Sequence, residues 1–260
     1  MYPETKPIVF NCPKDYESVE IFPVHDLHYG NEQFNLTKWN RLHDLILAEP
    51  NRYVVWIGDL LENAVPNSRS SVFDQMYSPQ EQKEYITALF KEFKSRTIAI
   101  LDGNHEYNRS TRMCGLYPLL DCAAMAGISD RFRSAYAVMD IGVGSNSHRD
   151  KNRQLRYVGF ATHRAKSLKS FASVDALEGF DFFLCGHDHE ADDHPRGKLV
   201  YNGVRRTVSV KSVDVINCGS FLRYGGYGAR AGYRPKSDKL YKLVLRGGIE
   251  KQIETVGFYL

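Results

Sequence analysis

The stretch Leu184-Cys185-Gly186-His187-Asp188-His189-Glu190 closes an apolar run, Phe180-Asp181-Phe182-Phe183-Leu184, that reads as a buried strand. Side chains at i and i+2 of an extended backbone point the same way, so the rings of His187 and His189 can face one point in space. Gly186 lets the chain turn sharply beside them. A His-x-His pair at a strand end is a metal-site signal, although a surface or structural pair reads the same.

The same arrangement recurs upstream. Val19 to Val24 predicts the first core strand, with Pro23 near its end, and His25-Asp26-Leu27-His28 follows at once. Asp26 and His28 offer a carboxylate and an imidazole, ligand types that divalent metals share, while a turn capped by Asp26 would use the same residues. Tyr53 to Ile57 predicts a strand feeding Gly58-Asp59, which puts a carboxylate at a sheet's carboxyl edge, where open α/β sheets bind ligands. Thr97 to Leu101 is the next strand, closed by Asp102-Gly103-Asn104-His105-Glu106. This reads as an unpaired tip, with an amide oxygen as a neutral ligand beside an imidazole that need not touch a metal. Ala135 to Ile141 and Leu155 to Thr162 form a hairpin around a polar loop containing His148, and the second strand delivers His163. Two carboxylates, one amide and four imidazoles exceed the needs of one ion. They suit two ions sharing one carboxylate.

Between the strands run helical patterns. Asn35 caps Leu36, Trp39, Leu42, Leu45 and Ile46, a series that stops at Pro50. Ser78-Pro79-Gln80-Glu81 is a capping box with proline at the first helical position, and Ile86, Leu89, Phe90 and Phe93 form its apolar face. Shorter helices are expected over Leu116 to Ala126 and Lys166 to Leu177. Lys198 to Tyr201, Val204 to Val210, Val213 to Ile216, Tyr241 to Leu245 and Ile249 to Val256 alternate as strands.

With 260 residues, 43% hydrophobic and 25% charged, the chain has the composition of a soluble globular protein, and one domain over residues 1–260 is expected. A net charge of +3 permits a polyanionic ligand without demanding one. Met1 to Phe10 lacks the basic-then-apolar pattern of a leader, and no run approaches the ~20 apolar residues of a membrane span. Five cysteines without CxxC spacing read as reduced thiols, so the expected compartment is the cytoplasm.

In sum the motifs run Asp26-Leu27-His28, Gly58-Asp59, Gly103-Asn104-His105-Glu106, His163 and Gly186-His187-Asp188-His189, each at a strand end. From about Ile21 to Ser220 this order resembles the calcineurin-like metallophosphoesterases. The resemblance implies an α/β fold, a four-layer αββα sandwich with two mixed β-sheets. It further implies a phosphoric ester hydrolase with two divalent metal ions. Asp26, His28 and His189 would hold one ion, Asn104, His163 and His187 the other, and Asp59 would bridge. His105 would act on the phosphoryl or leaving oxygen, oriented by an acidic group for which the family pattern suggests Asp26. Manganese is expected first, with iron, zinc, nickel or magnesium as alternatives.

Two departures bear on substrate. The second motif continues Leu60-Leu61-Glu62-Asn63, without the phosphate-gripping arginine of the family's protein phosphatases, which disfavours a phosphoprotein. His25 stands where a small hydroxyl residue is usual and is expected to pack or support rather than ligate. Between Arg223 and Lys236, Arg223, Arg230 and Arg234 are interleaved with Tyr224 and Tyr227, a pattern able to grip phosphate and stack bases. A phosphodiesterase or nuclease is the first expectation, with no membrane partner. A small-molecule phosphomonoesterase and a catalytically silent scaffold are the alternatives.

Overall fold

The computed structural model describes residues 6–66, 68, 70–145, 153–163 and 177–260. Its strands are β1 (Ile8–Asn11), β2 (Ser18–Val24), β3 (Arg52–Ile57), β4 (Thr97–Leu101), β5 (Phe132–Arg133), β6 (Tyr136–Val143) and β7 (Leu155–Thr162). They continue as β8 (Phe182–Cys185), β9 (Ala191–Asp193), β10 (Arg196–Asn202), β11 (Thr207–Cys218), β12 (Leu240–Arg246) and β13 (Gln252–Phe258). One sheet has the order β1-β6-β7-β8-β11-β10, with β9 also on β11, and the other β13-β12-β2-β3-β4-β5. Both are mixed: β2, β3, β4 and β5 run parallel while β12 is antiparallel to β2, and β8 runs parallel to β7 and β11 while β10 is antiparallel to β11.

The period-two alternation of the strands separates the core into layers. Val19 and Ile21 of β2 and Val55 and Ile57 of β3 point between the sheets, where they meet Met139, Ile141, Phe182, Leu184 and Ile216. Phe22, Val24, Val54 and Trp56 point the other way, against the helices. Helix Leu36–Leu47 lays Trp39, Leu42 and Ile46 on that face, and helix Pro79–Glu92 adds Ile86, Leu89 and Phe90. The expected capping box is formed, with Ser78 accepting from the Glu81 N–H and Glu81 accepting from the Ser78 N–H. On the far side Phe183, Cys185, Val213 and Val215 form a smaller outer cluster. The helix expected over Lys166 to Leu177 falls almost wholly outside the described residues, as does the loop containing His148. No helix among the described residues is long and apolar enough to cross a membrane.

Two expectations need correction. The segments Val204 to Val210 and Val213 to Ile216 are not two strands: Val204 to Arg206 lie in a turn, and Thr207–Cys218 is one strand, β11, unbroken through Lys211 and Ser212 because both pair with β10. The apolar residues change phase there: Val208 and Val210 lie on one face of the ribbon, Val213 and Val215 on the opposite face. Asn104-His105-Glu106 is likewise no unpaired tip but a helical turn that runs into a π-helical turn, Tyr107–Thr111.

The reason is Glu106. Fully buried, it accepts the N–H groups of Gly103 (2.9 Å), Asp59 (3.0 Å) and Leu61 (3.0 Å), tying the turn after β4 to the loop after β3. Glu106→Gln keeps the shape but turns an amide donor against these donors. It should lower the unfolding free energy of the metal-free protein by about 2 kcal/mol, measured by urea titration; an unchanged midpoint would mean that the carboxylate is not the tie.

Candidate metal centre

The motif side chains converge at the carboxyl ends of β2, β3, β4, β7 and β8. The local backbone there is not extended. Asp26, His28, Asp59, His187 and His189 have φ values of 48°, 50°, 49°, 82° and 56°, in the left-handed region that side chains with a Cβ rarely adopt. The reading of His187 and His189 as neighbours on an extended segment is therefore corrected. Left-handed turns aim His187 toward Asp59 and His163, and His189 toward Asp26 and His28. Such backbone states cluster where the surrounding structure imposes them for function.

Glycines make the convergence possible. A Cβ on Gly103 would lie 2.1 Å from the backbone N of Asp59, and one on Gly58 2.3 Å from the backbone N of Gly103. The two loops thus run in backbone contact, and nothing larger fits.

Two groups of ligand atoms result. In the first, the Nε2 atoms of His28 and His189 are 3.3 Å apart, and Asp26 Oδ1 is 3.5 Å and 3.2 Å from them. Asp26 divides its oxygens: Oδ2 accepts from His25 Nδ1 (2.5 Å) and the His187 N–H (2.8 Å), whereas buried Oδ1 has no hydrogen-bond partner. In the second, His163 Nε2 lies 3.2 Å from both Asp59 Oδ2 and Asn104 Oδ1, with His187 completing the group. His163 donates from Nδ1 to the Ile57 carbonyl (2.6 Å), which turns its Nε2 inward. Asp59 sits between the groups, its Oδ1 held by the His105 N–H at 2.7 Å.

Imidazole nitrogens and carboxylate oxygens facing one another in a buried place, one oxygen lacking any donor, form a donor set of the N/O kind that divalent transition metals take. His28, Asp59 and His105 also bring ligand atoms within 4.8 Å of one another, so distance alone does not exclude His105.

The electrostatics follow the crowding. Burial works against the charged form of Asp26, yet His189 and His25 hold its carboxyl well below the usual range. Asp59 is also lowered, burial being outweighed by His163 and His105. Burial opposes protonation of His28 and His163 too, but Asp26 and Glu62 push His28 up to about 10 and Asp59 pushes His163 up to about 9. His105 goes the other way, down to about 4, because burial dominates its carboxylate neighbours.

His105 donates from Nδ1 to the Glu62 carbonyl at 2.8 Å, not to Asp26, which corrects the expected orienting partner. The physical reason is that Asp26 Oδ2 is already engaged by His25 and the His187 N–H, while its Oδ1 faces the first histidine pair. His105 Nε2 lies 3.0 Å from Arg109 Nη2, and Arg109 Nη1 donates to the Glu62 backbone carbonyl and lies 3.2 Å from its carboxylate. Sequence reasoning missed Arg109. Its signal was the spacing of four residues from His105, which a helical turn brings to one side.

His25 is buried, accepts the Cys218 N–H at Nε2 (3.1 Å) and so must carry its proton on Nδ1, toward Asp26. A Cβ on Gly186 would strike this ring at 2.9 Å. The Arg223 to Lys236 segment borders the centre: Arg234 and Lys236 bind Glu190, the residue after His189, and Arg230 pairs with Asp74. Tyr224 and Arg223 are exposed, while the Tyr227 side chain is outside the described set.

No family model matches the chain, and no curated protein matches it. Among solved structures it is similar to a metallophosphoesterase from Sphaerobacter thermophilus, at 12% identity over 93% of this chain and 90% of that one, with a TM-score of 0.41. It is also similar to Vps29 from Entamoeba histolytica, solved with zinc, at 10% identity over 92% and 99% of the two chains and a TM-score of 0.42. A third is the nuclease MPE of Pseudomonas putida, at 14% identity over 91% and 87% and a TM-score of 0.38. The resemblance of this chain to the calcineurin-like metallophosphoesterases is carried by its motif order, by its two mixed sheets and by the meeting of the motif side chains at one edge.

Proposed function

We propose that this protein hydrolyses phosphoric esters with two divalent cations, one held by Asp26, His28 and His189 and the other by Asn104, His163 and His187, with Asp59 between them. The observation that supports this reading above others is the unpartnered, buried Asp26 Oδ1 facing two imidazole nitrogens that also face each other. Bound there, such ions supply positive charge that activates water and favours in-line displacement at phosphorus. Manganese is the proposed occupant, with iron, zinc, nickel and magnesium as the alternatives a mixed N/O donor set accepts.

The chain's own residues do the rest. His25 fixes the angle of Asp26, and the Ile57 carbonyl fixes the tautomer of His163. His105, anchored through Nδ1 on the Glu62 carbonyl, points Nε2 toward Arg109 and the substrate side. The negative charge of a bound phosphoryl group would favour its protonated form, which would then steady a phosphoryl oxygen or hand the leaving oxygen a proton. Arg109 beside it supplies the guanidinium that the second motif lacks, and grips a phosphoryl oxygen through charge-assisted hydrogen bonds.

The proposed substrate is a phosphodiester of nucleic acid or a nucleotide. Its support is the basic and aromatic segment along the rim, pinned at Glu190 next to His189. A small-molecule phosphomonoester is the second reading, because the same centre would serve it. The five cysteines are all unpaired, which fits the reducing cytoplasm proposed as the compartment.

With manganese added, a chromogenic diester should turn over faster than the matching monoester; the reverse order would select the monoesterase, and metal uptake without turnover of either a silent scaffold. His105→Ala should keep metal content near wild type while lowering turnover by about 10²-fold, whereas Asp59→Asn should reduce binding of both ions, read by elemental analysis. Loss of metal from the His105 variant would make His105 a ligand. Arg109→Gln should lower kcat/KM by about 10²-fold at unchanged metal content, with partial rescue by lysine; wild-type kinetics would remove Arg109 from the reaction.

A further inference from the structure

Strands β10 and β11 run on past the sheet as a two-stranded arm with the turn 203–206 at its tip. Direct partners on a ribbon share a face, so the register pairs Leu199 with Val210 and Tyr201 with Val208 on one side. These four are 78%, 71%, 65% and 65% exposed, and Val204 at the tip is 96% exposed. A two-stranded ribbon with an uncovered apolar face is only marginally stable by itself. Five such side chains amount to roughly 600 Å², the upper end of the largest patch on an ordinary monomer.

Charge marks the two ends of the arm. Arg205 and Arg206 are exposed at the tip. At the root, half-buried Asp214, which accepts from Thr255 Oγ1 of β13 (2.9 Å), follows Val210 and Ser212 on the same side of β11. Half-buried Asp193 pairs with Ile216, where that side passes between the sheets. Buried Asp193 Oδ1 has no hydrogen-bond partner, and burial together with Asp214 raises the Asp193 pKa. The strip is therefore basic at one end, apolar in the middle and acidic at the other. Val210 lies midway in sequence between Arg206 and Asp214.

We infer that this face of the arm pairs with the same face of a second copy of the chain, tip to root about a two-fold axis beside Leu199 and Val210. A two-fold contact requires a self-complementary patch, and this one becomes self-complementary when reversed end to end. Each tip's arginines then meet the partner's Asp193 and Asp214, while the apolar residues cover one another. Two strips together remove about 1,200 Å² from water, the lower bound of a specific interface.

The test uses the full chain. Sedimentation velocity should show a dimer within about 100 μM, a range suited to an interface at that lower bound. The Leu199→Glu/Val210→Glu variant should be monomeric, with the melting temperature of the wild type when both are measured at concentrations too low for the dimer, because neither side chain is buried in the monomer. Arg205→Glu/Arg206→Glu should weaken association at least tenfold, as should high salt. In a Cys114→Ser background, Val210→Cys should cross-link into a covalent dimer on oxidation. A wild-type monomer throughout this range, or a dimer indifferent to the Leu199/Val210 change, overturns the inference. So would a monomer whose arm instead binds an oligonucleotide or a peptide from another protein.

Discussion

Everything at the sheet edge depends on two backbone segments touching. The loop after β3 and the turn after β4 approach so closely at Gly58 and Gly103 that no Cβ fits, and the Glu106 carboxylate holds them there by accepting three N–H groups. That contact places Asp59 between the two ligand groups and hands its Oδ1 to the His105 N–H. Remove it and the carboxylate in the middle loses its position relative to every imidazole around it.

Strain and charge are concentrated at the same place. Five of the motif residues sit in left-handed backbone, and two buried anionic carboxylates stand among five imidazoles, those of His28 and His163 buried with them and those of His105, His187 and His189 nearer the surface. Neither feature is favourable alone. Together they are what a cation-binding edge needs: donors turned inward by the backbone and negative charge kept ionised at neutral pH. The supporting layer is made of ordinary parts, a histidine between Asp26 and a backbone N–H and a carbonyl on each of His163 and His105.

Arg109 reaches the centre through contacts that the second motif does not announce. The second motif has Asn63 where the family's protein phosphatases carry an arginine, and Glu62 before it is the platform on which Arg109 and His105 both rest. The π-helical turn over Tyr107–Thr111 brings Arg109 back toward His105. Such turns recur at functional sites because they shift a side chain by a fraction of a helical turn.

Most of the strands, the two capped helices and the identity of the clustered residues were legible in the sequence, since alternation, capping chemistry and strand-end position are local properties that neighbouring residues impose; the short strands β1, β5 and β9 were not. His25 as support for Asp26 was legible for the same reason, adjacency. What only the tertiary structure decided was direction and partnership. The left-handed aim of His187 and His189, the replacement of Asp26 by the Glu62 carbonyl at His105, and the arrival of Arg109 each depend on contacts between segments far apart in the chain. The continuity of β11 through its change of apolar phase was equally hidden, because which face of a strand is covered is set by what lies across from it and not by the strand itself.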